Sequence, residues 1–171
     1  EMSRALTEGK PSEFFQVLRA CGALAVIFPE LDNLFGIPQP PQHHPEVDTG
    51  DHVMLSIDFA RHEFDTLIVT WAVLVHDLGK AMTPPDEWPK NVKQEKRGVL
   101  LVQAVSARLK VPKDFVALGK LVSLHHLRCH RLMEMRPGTI MRLLESLDAF
   151  RRPERLKLFS QSCEADARGR L

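Results

Sequence analysis

An all-α fold is predicted by three features of the sequence. Apolar residues recur with helical period in one segment after another, Pro and Gly punctuate the chain between those segments, and nothing alternates with period two for long enough to need a sheet. The 171 residues are 44% hydrophobic and 26% charged, an ordinary globular composition with enough chain to bury one sizeable core. A net charge of +1 gives no overall footprint for nucleic acid, so contact with RNA has to come from local clusters. No apolar segment is long enough to span a bilayer, which argues against a membrane partner. Cys21, Cys129 and Cys163 are far apart and lack C-x-x-C spacing, which disfavours a disulfide scaffold or structural zinc and fits a reducing cytoplasm. No secretory signal is visible, and the chain reads as part of something longer.

Residues 11–28 predict two short helices, with Phe14, Phe15, Val17, Leu18, Leu24, Val26 and Ile27 as their apolar residues, a break at Cys21-Gly22 and a stop at Pro29. Ser12 is the expected N-cap. Residues 36–51 are rich in proline and lack apolar periodicity, so they form an ordered connection. Asp48 or Thr49 caps the next helix, on which His52, Leu55 and Phe59 share one face, so His52 points inward.

Residues 66–78 contain many β-branched side chains, yet thirteen residues would make a strand of more than about 40 Å and a helix of only about 20 Å. This is the central helix, with Gly79 as its expected C-terminal stop. A proline-rich loop over 81–91 precedes a helix over 92–109, whose Val102, Val105 and Leu109 face the core. After Pro112, Phe115, Leu118, Val122, His126 and Cys129 keep helical period, placing a second histidine where an apolar residue is expected. Thr139 caps a helix carrying Ile140, Leu143, Leu144 and Leu147, with Asp148 at the edge of that stripe. Pro153 starts a last helix, whose Leu156, Phe159 and Cys163 lead onto Asp166.

The chemistry gathers where buried apolar sequence ends in His76, Asp77, Leu78, Gly79 and Lys80. An imidazole beside a carboxylate in such surroundings is costly to desolvate unless the two are paired or ligate a cation. His52, His76, Asp77, His126 and a late carboxylate, Asp148 or Asp166, come from different helices and each interrupts or borders an apolar face. This ordered H…HD…D set resembles the HD-domain metal-dependent phosphohydrolases, helical bundles that present such a set to one divalent ion, or to two when further histidines are present.

A narrower resemblance covers essentially the whole chain. The stretches PSEFFQVLRACGALAVIFPELDNLFGIPQPPQHHPEVDTGDH, HDLGKAMTPPDEWP, EKRG, LDAFRRPERL and CEADARGR are similar to the bacterial multifunctional CCA proteins. That family joins a tRNA nucleotidyltransferase to a C-terminal HD domain with 2′,3′-cyclic phosphodiesterase, 2′-nucleotidase and phosphatase activities. The resemblance implies helices of a neck or body at residues 1–36 and an HD domain at residues 37–171. It also implies a metal set of His52, His76, Asp77 and Asp148, with Asp166 as the alternative closing carboxylate and Asp77 and His76 as the catalytic pair. The ion would be Ni, Mg, Mn or Co. The partners would be a tRNA 3′ end or 2′- and 2′,3′-cyclic phosphorylated nucleotides, and an oligomer is compatible with the family.

There are departures. No Gly-Ser or Gly-Gly loop precedes a D-x-D pair, so nucleotide addition through two metals is not expected of this chain. Where the family reads HEKRG, Gln94 opens the QEKRG stretch, and an amide is a poor ligand for a second transition metal.

Lys80 either approaches a phosphate or complements a helix C-terminus, and His44, His125 and His130 are candidate substrate contacts. Lys90, Lys93, Lys96 and Arg97 form one basic cluster, Arg128 and Arg131 a second, and Arg151, Arg152 and Arg155 a third. Each could follow an RNA backbone or be a solvated face. Two other functions compete with hydrolysis of RNA ends: a helical module that only positions RNA, and a free-standing HD nucleotidase. The neck-like sequence at residues 11–36 disfavours the nucleotidase.

Overall fold

Helical period becomes helix along the chain in a computed structural model that describes residues 1–40, 46–89 and 93–170. Among the described residues there are ten α-helices and no β-strand, only an isolated bridge between Pro38 and Asp48. The fold is all-α. Helices α1 (Met2–Ala5), α2 (Ser12–Ala20), α3 (Ala23–Ile27) and α4 (Pro29–Asp32) are short. Gly22 supplies the left-handed turn between α2 and α3, at φ 76°, a conformation that costs glycine little. Ser12 begins α2 but does not cap it. Its amide and its hydroxyl both donate to the Asp58 carboxylate, at 2.9 and 2.6 Å, tying α2 to the following long helix.

That helix, α5 (Thr49–Phe64), is capped by Asp48, whose carboxylate accepts from the Asp51 amide at 3.0 Å and also from the Gly36 amide at 2.5 Å. Its most buried side chains are His52, Val53, Ser56, Ile57 and Ala60, whereas Leu55 and Phe59 are half-buried. His52 is inward as expected, on a core face rotated from the predicted stripe.

Helix α6 (Leu67–Val75) is the centre of the bundle and packs on α5, on α8 (Lys113–His130) and on α10 (Pro153–Arg168). Every residue from 69 to 80 is buried. The expected helix over 66–78 ends earlier, at Val75. His76 and Asp77 form the junction to a 3-10 turn, Leu78–Met82, and the His76 ring turns back to donate from Nδ1 to the Val73 carbonyl at 2.6 Å. Gly79 therefore has a role other than the expected stop. A Cβ there would lie 1.9 Å from the carbonyl oxygen of Gln94, the first residue of α7 (Gln94–Arg108), so glycine permits a close backbone approach.

Helix α7 starts at Gln94 after a left-handed Lys93, and its Val102 and Val105 are buried as expected. After α8, a 3-10 turn (Leu132–Glu134) leads to α9 (Pro137–Ser146). Pro137 itself opens α9, and Thr139 accepts from Arg142 inside the first turn instead of capping the helix.

One hydrophobic core runs from Leu6, Phe15, Leu24, Phe28, Leu31 and Leu34 in the first helices to Val53, Ile57, Leu74, Val102 and Val105. A second cluster, holding Leu118, Leu143, Leu147, Phe159 and Cys163, joins α8, α9 and α10. The three cysteines are free thiols. No described helix is long and apolar enough to cross a membrane.

Candidate metal centre

Four elements bring their polar residues to one buried point. Helix α5 supplies His52, the end of α6 supplies His76 and Asp77, α8 supplies His126, and α10 supplies Asp166. All five are at least 97% buried. His52 Nε2 lies 2.9 Å from Asp166 Oδ1, and His76 Nε2 lies 3.6 Å from the same oxygen and 3.3 Å from Asp77 Oδ2. His126 Nε2 is 3.5 Å from Asp77 Oδ1. Two overlapping sets, His52 with His76 and Asp166, and His76 with Asp77 and His126, each present three ligand atoms within 4.8 Å of one another.

The other nitrogen of each ring is engaged. Nδ1 of His52 pairs with Glu46 Oε1 at 2.8 Å, Nδ1 of His76 faces the Val73 carbonyl at 2.6 Å, and Nδ1 of His126 faces the Val122 carbonyl at 2.9 Å. An acceptor at Nδ1 fixes the proton there and leaves the Nε2 lone pair for the centre. Two atoms that point into the centre, His76 Nε2 and Asp77 Oδ1, are buried without a hydrogen-bond partner. Such atoms are costly unless a further group completes them, and imidazole nitrogens with carboxylate oxygens are the donor set of a divalent cation.

The charges are interlocked. Burial pushes the Asp77 carboxyl up, but Lys80, His76 and His126 outweigh it and hold the group well below the usual carboxylate range. Asp166 is likewise pushed up by burial and carried well below by His76, His130 and His52. For His76, burial works against the charged ring, yet the carboxylates of Asp77 and Asp166 raise it to about 10. Without an ion the centre thus retains a proton on His76, which a cation would replace.

Lys80 takes neither role expected for it. Its Nζ donates to Asp77 Oδ2 at 2.7 Å and to Gln39 Oε1 at 2.6 Å, so it orients the carboxylate and leaves Oδ1 toward the interior. His130 reaches Asp166 Oδ2 at 2.6 Å from the outside. His125 turns away, with Nε2 3.1 Å from the Ser146 hydroxyl, and burial beside Arg128 and His126 lowers its pKa. His44 lies outside the described residues, as does Lys90.

Asp148 does not join the centre. It sits just past α9 at φ 55°, its amide donating to Glu145 and the Ala149 amide donating to Leu144, and its carboxylate faces Arg151 and Arg152 at 3.9 and 3.7 Å. This is the left-handed residue of a helix-terminating turn, a place aspartate tolerates, and the turn points it at solvent-side arginines. Asp166, the alternative carboxylate, occupies the expected position instead. Sequence reasoning missed Glu46. It stands in the proline-rich connection, where no periodicity marks an inward side chain. Gln94 is buried, with its Oε1 lacking a hydrogen-bond partner.

The fold and centre define a class: a helical bundle whose histidines and aspartates, from four elements, make a buried site suited to a divalent ion. Residues 1–35 match a family described as "Probable RNA and SrmB- binding site of polymerase A". The whole chain is 53% identical to the multifunctional CCA protein of Alkalilimnicola ehrlichii over 171 residues, covering 100% of this chain and 41% of that protein. It is 51% identical to the multifunctional CCA protein of Nitrosococcus oceani and 49% identical to that of Ectopseudomonas mendocina, each over 170 residues, 99% of this chain and 42% of the relative. The chain is therefore homologous over its whole length to part of a multifunctional CCA protein, and it spans about two-fifths of the length of these relatives.

Proposed function

We propose that this chain is a metal-dependent phosphohydrolase acting on RNA 3′ ends, those of tRNA included, with 2′,3′-cyclic phosphodiesterase, 2′-nucleotidase and phosphatase activity. The observation that carries this reading is the common orientation of three buried histidines, each with Nδ1 engaged and Nε2 turned toward Asp77 or Asp166. His52, His76, Asp77 and Asp166 would hold the ion, with His126 beside Asp77. A bound divalent cation supplies positive charge for a phosphate oxygen and lowers the pKa of water.

The chain's own groups do the rest. Glu46 fixes the His52 ring, and Lys80 holds Asp77 Oδ2, so that Asp77 Oδ1 accepts a hydrogen bond from the attacking water. The low basicity of Asp77 makes it an orienting acceptor, not a store for the proton. Burial keeps bulk water from competing with the phosphoester for these groups. Homology to multifunctional CCA proteins supports the choice of an RNA end as substrate. Nucleotide addition is not assigned to this chain, because it has no loop followed by a D-x-D pair.

The test is elemental analysis of the purified chain together with hydrolysis of 2′,3′-cyclic and 2′-phosphorylated nucleotides in Ni, Mn, Co and Mg, on wild type, His76→Ala and Asp77→Ala. Bound metal with hydrolysis lost in both variants is the expected result. No hydrolysis by the wild type in any of the four, or full activity in either variant, would defeat the proposal and leave RNA positioning as the function.

A further inference from the structure

A cleft of about 950 Å³ opens beside the buried centre, a volume at the upper end of the ~300–1,000 Å³ typical of small-ligand pockets. The end of α8 and the residue after it line it with Arg128, His130 and Arg131, the segment just past α10 with Arg170, and Glu95 and Glu134 complete its charged lining. His130 belongs to both places. It lines the cleft with 25% of its side chain exposed, and its Nε2 holds Asp166 Oδ2 at 2.6 Å. Arg170 is anchored similarly, its Nε donating to the Asp166 carbonyl at 3.3 Å.

The cleft thus ends at a residue in contact with the candidate ligand Asp166, and its walls carry three guanidiniums against two carboxylates. One of those carboxylates, Glu134, is engaged by Arg131 at 2.9 Å in a pair exposed enough for solvent to screen. A guanidinium fork matches the oxygens of a phosphate, and a cluster of them beside a hydrolytic centre suits a polyanion longer than its reacting group.

We infer that this cleft binds the internucleotide phosphate on the 5′ side of the terminal nucleotide of an RNA, through Arg128 and Arg131, while the terminal phosphoester reaches the centre past His130. The inference rests on the hydrolase reading for the reacting end. It adds a length requirement: a dinucleotide ending in a 2′,3′-cyclic phosphate is bound by contacts that a cyclic mononucleotide lacks.

The experiment measures kcat and KM in metal-loaded wild type, Arg128→Ala, Arg131→Ala, the double variant and the charge control Arg142→Ala, on a cyclic mononucleotide and a cyclic-ended diribonucleotide. The expected result is a KM for the dinucleotide about tenfold below that for the mononucleotide, as one charge-assisted contact would supply. The double variant should erase that advantage with kcat unchanged, the mononucleotide should be unaffected, and Arg142→Ala should behave as wild type. Equal KM values for the two substrates in wild type, or variants that lose kcat on both, overturn the inference.

Should neither substrate be hydrolysed, the hydrolase reading fails alone. The cleft is then judged by fluorescence anisotropy with a labelled tetraribonucleotide, where a Kd raised about tenfold in the double variant upholds binding and an unchanged Kd overturns it.

Discussion

Asp148 and Asp166 look alike in sequence and lie in different worlds in the fold. Each follows a helical apolar stripe, Leu144 and Leu147 in one case and Phe159 and Cys163 in the other. Asp166 is still inside the last turn of its helix, so the period of α10 carries it inward to His52, His76 and His130. Asp148 is past the end of its helix, where a left-handed residue closes the turn and the period no longer governs direction. Whether a carboxylate becomes part of a buried centre is decided here by the backbone under it, not by its apolar neighbours.

The strongest way to break this contrast is to exchange the fates of the two residues. Asp166→Ala should abolish hydrolysis and destabilise the chain by ~3–5 kcal/mol in urea unfolding, since it leaves buried imidazoles without their acid. Asp148→Asn should keep both turn and activity, with a change within ~0.5 kcal/mol. Equal losses in the two variants would sink the distinction.

The pH dependence of the metal-free chain tests the buried side alone. His76 faces Asp77 on its own segment, Asp166 on α10, His52 on α5 and His126 on α8. Its folded pKa, about 10, is above the ordinary 6.5, so its stabilising contribution is complete below pH 6.5 and is lost as pH rises toward 10. The melting temperature of the metal-free chain should fall across that window. The metal-loaded chain should resist the fall, because the ion stabilises the folded state in place of the proton. The low pKa values of Asp77 and Asp166 describe the same cluster from the acid side, with stability lost as pH drops below the ordinary 3.8.

A smaller effect should follow from Glu46→Gln. The amide no longer offers His52 Nδ1–H a carboxylate acceptor, and metal affinity, measured by competition with a chelator, should drop ~10–100-fold with the fold intact. An unchanged affinity would make Glu46 a structural partner only. Smaller still is Gln94→His. The wild type should titrate with about one tight metal per chain, and the added imidazole should raise occupancy of a second, weaker one. Two equally tight ions in the wild type would remove Gln94 from the account.

Helical period made most of the architecture legible, including His52 and His126 as inward histidines on α5 and α8. It also left Asp166 open as an alternative to Asp148. The resemblance implies Asp148, but the turn that follows Ser146 carries its carboxylate away from the centre, and no apolar period announces that turn. Three other features rest on individual side-chain contacts that an apolar period does not announce. They are the early end of α6 at His76, the hold of Lys80 on Asp77 and Gln39, and the Glu46 carboxylate on His52.

The core that passes from Phe15, Leu24, Phe28, Leu31 and Leu34 into Val53 and Ile57 has a practical consequence for anyone wishing to cut the molecule. Residues 1–35, matched to an RNA-binding description, form one wall of the interior that backs the helix carrying His52. A truncation starting at residue 37 would strip five fully buried apolar side chains from that wall and orphan the Asp58 carboxylate that Ser12 now satisfies. Scissors placed at the end of the matched segment 1–35 would therefore yield a sticky remnant, and that segment has to travel together with the helices that hold the buried centre.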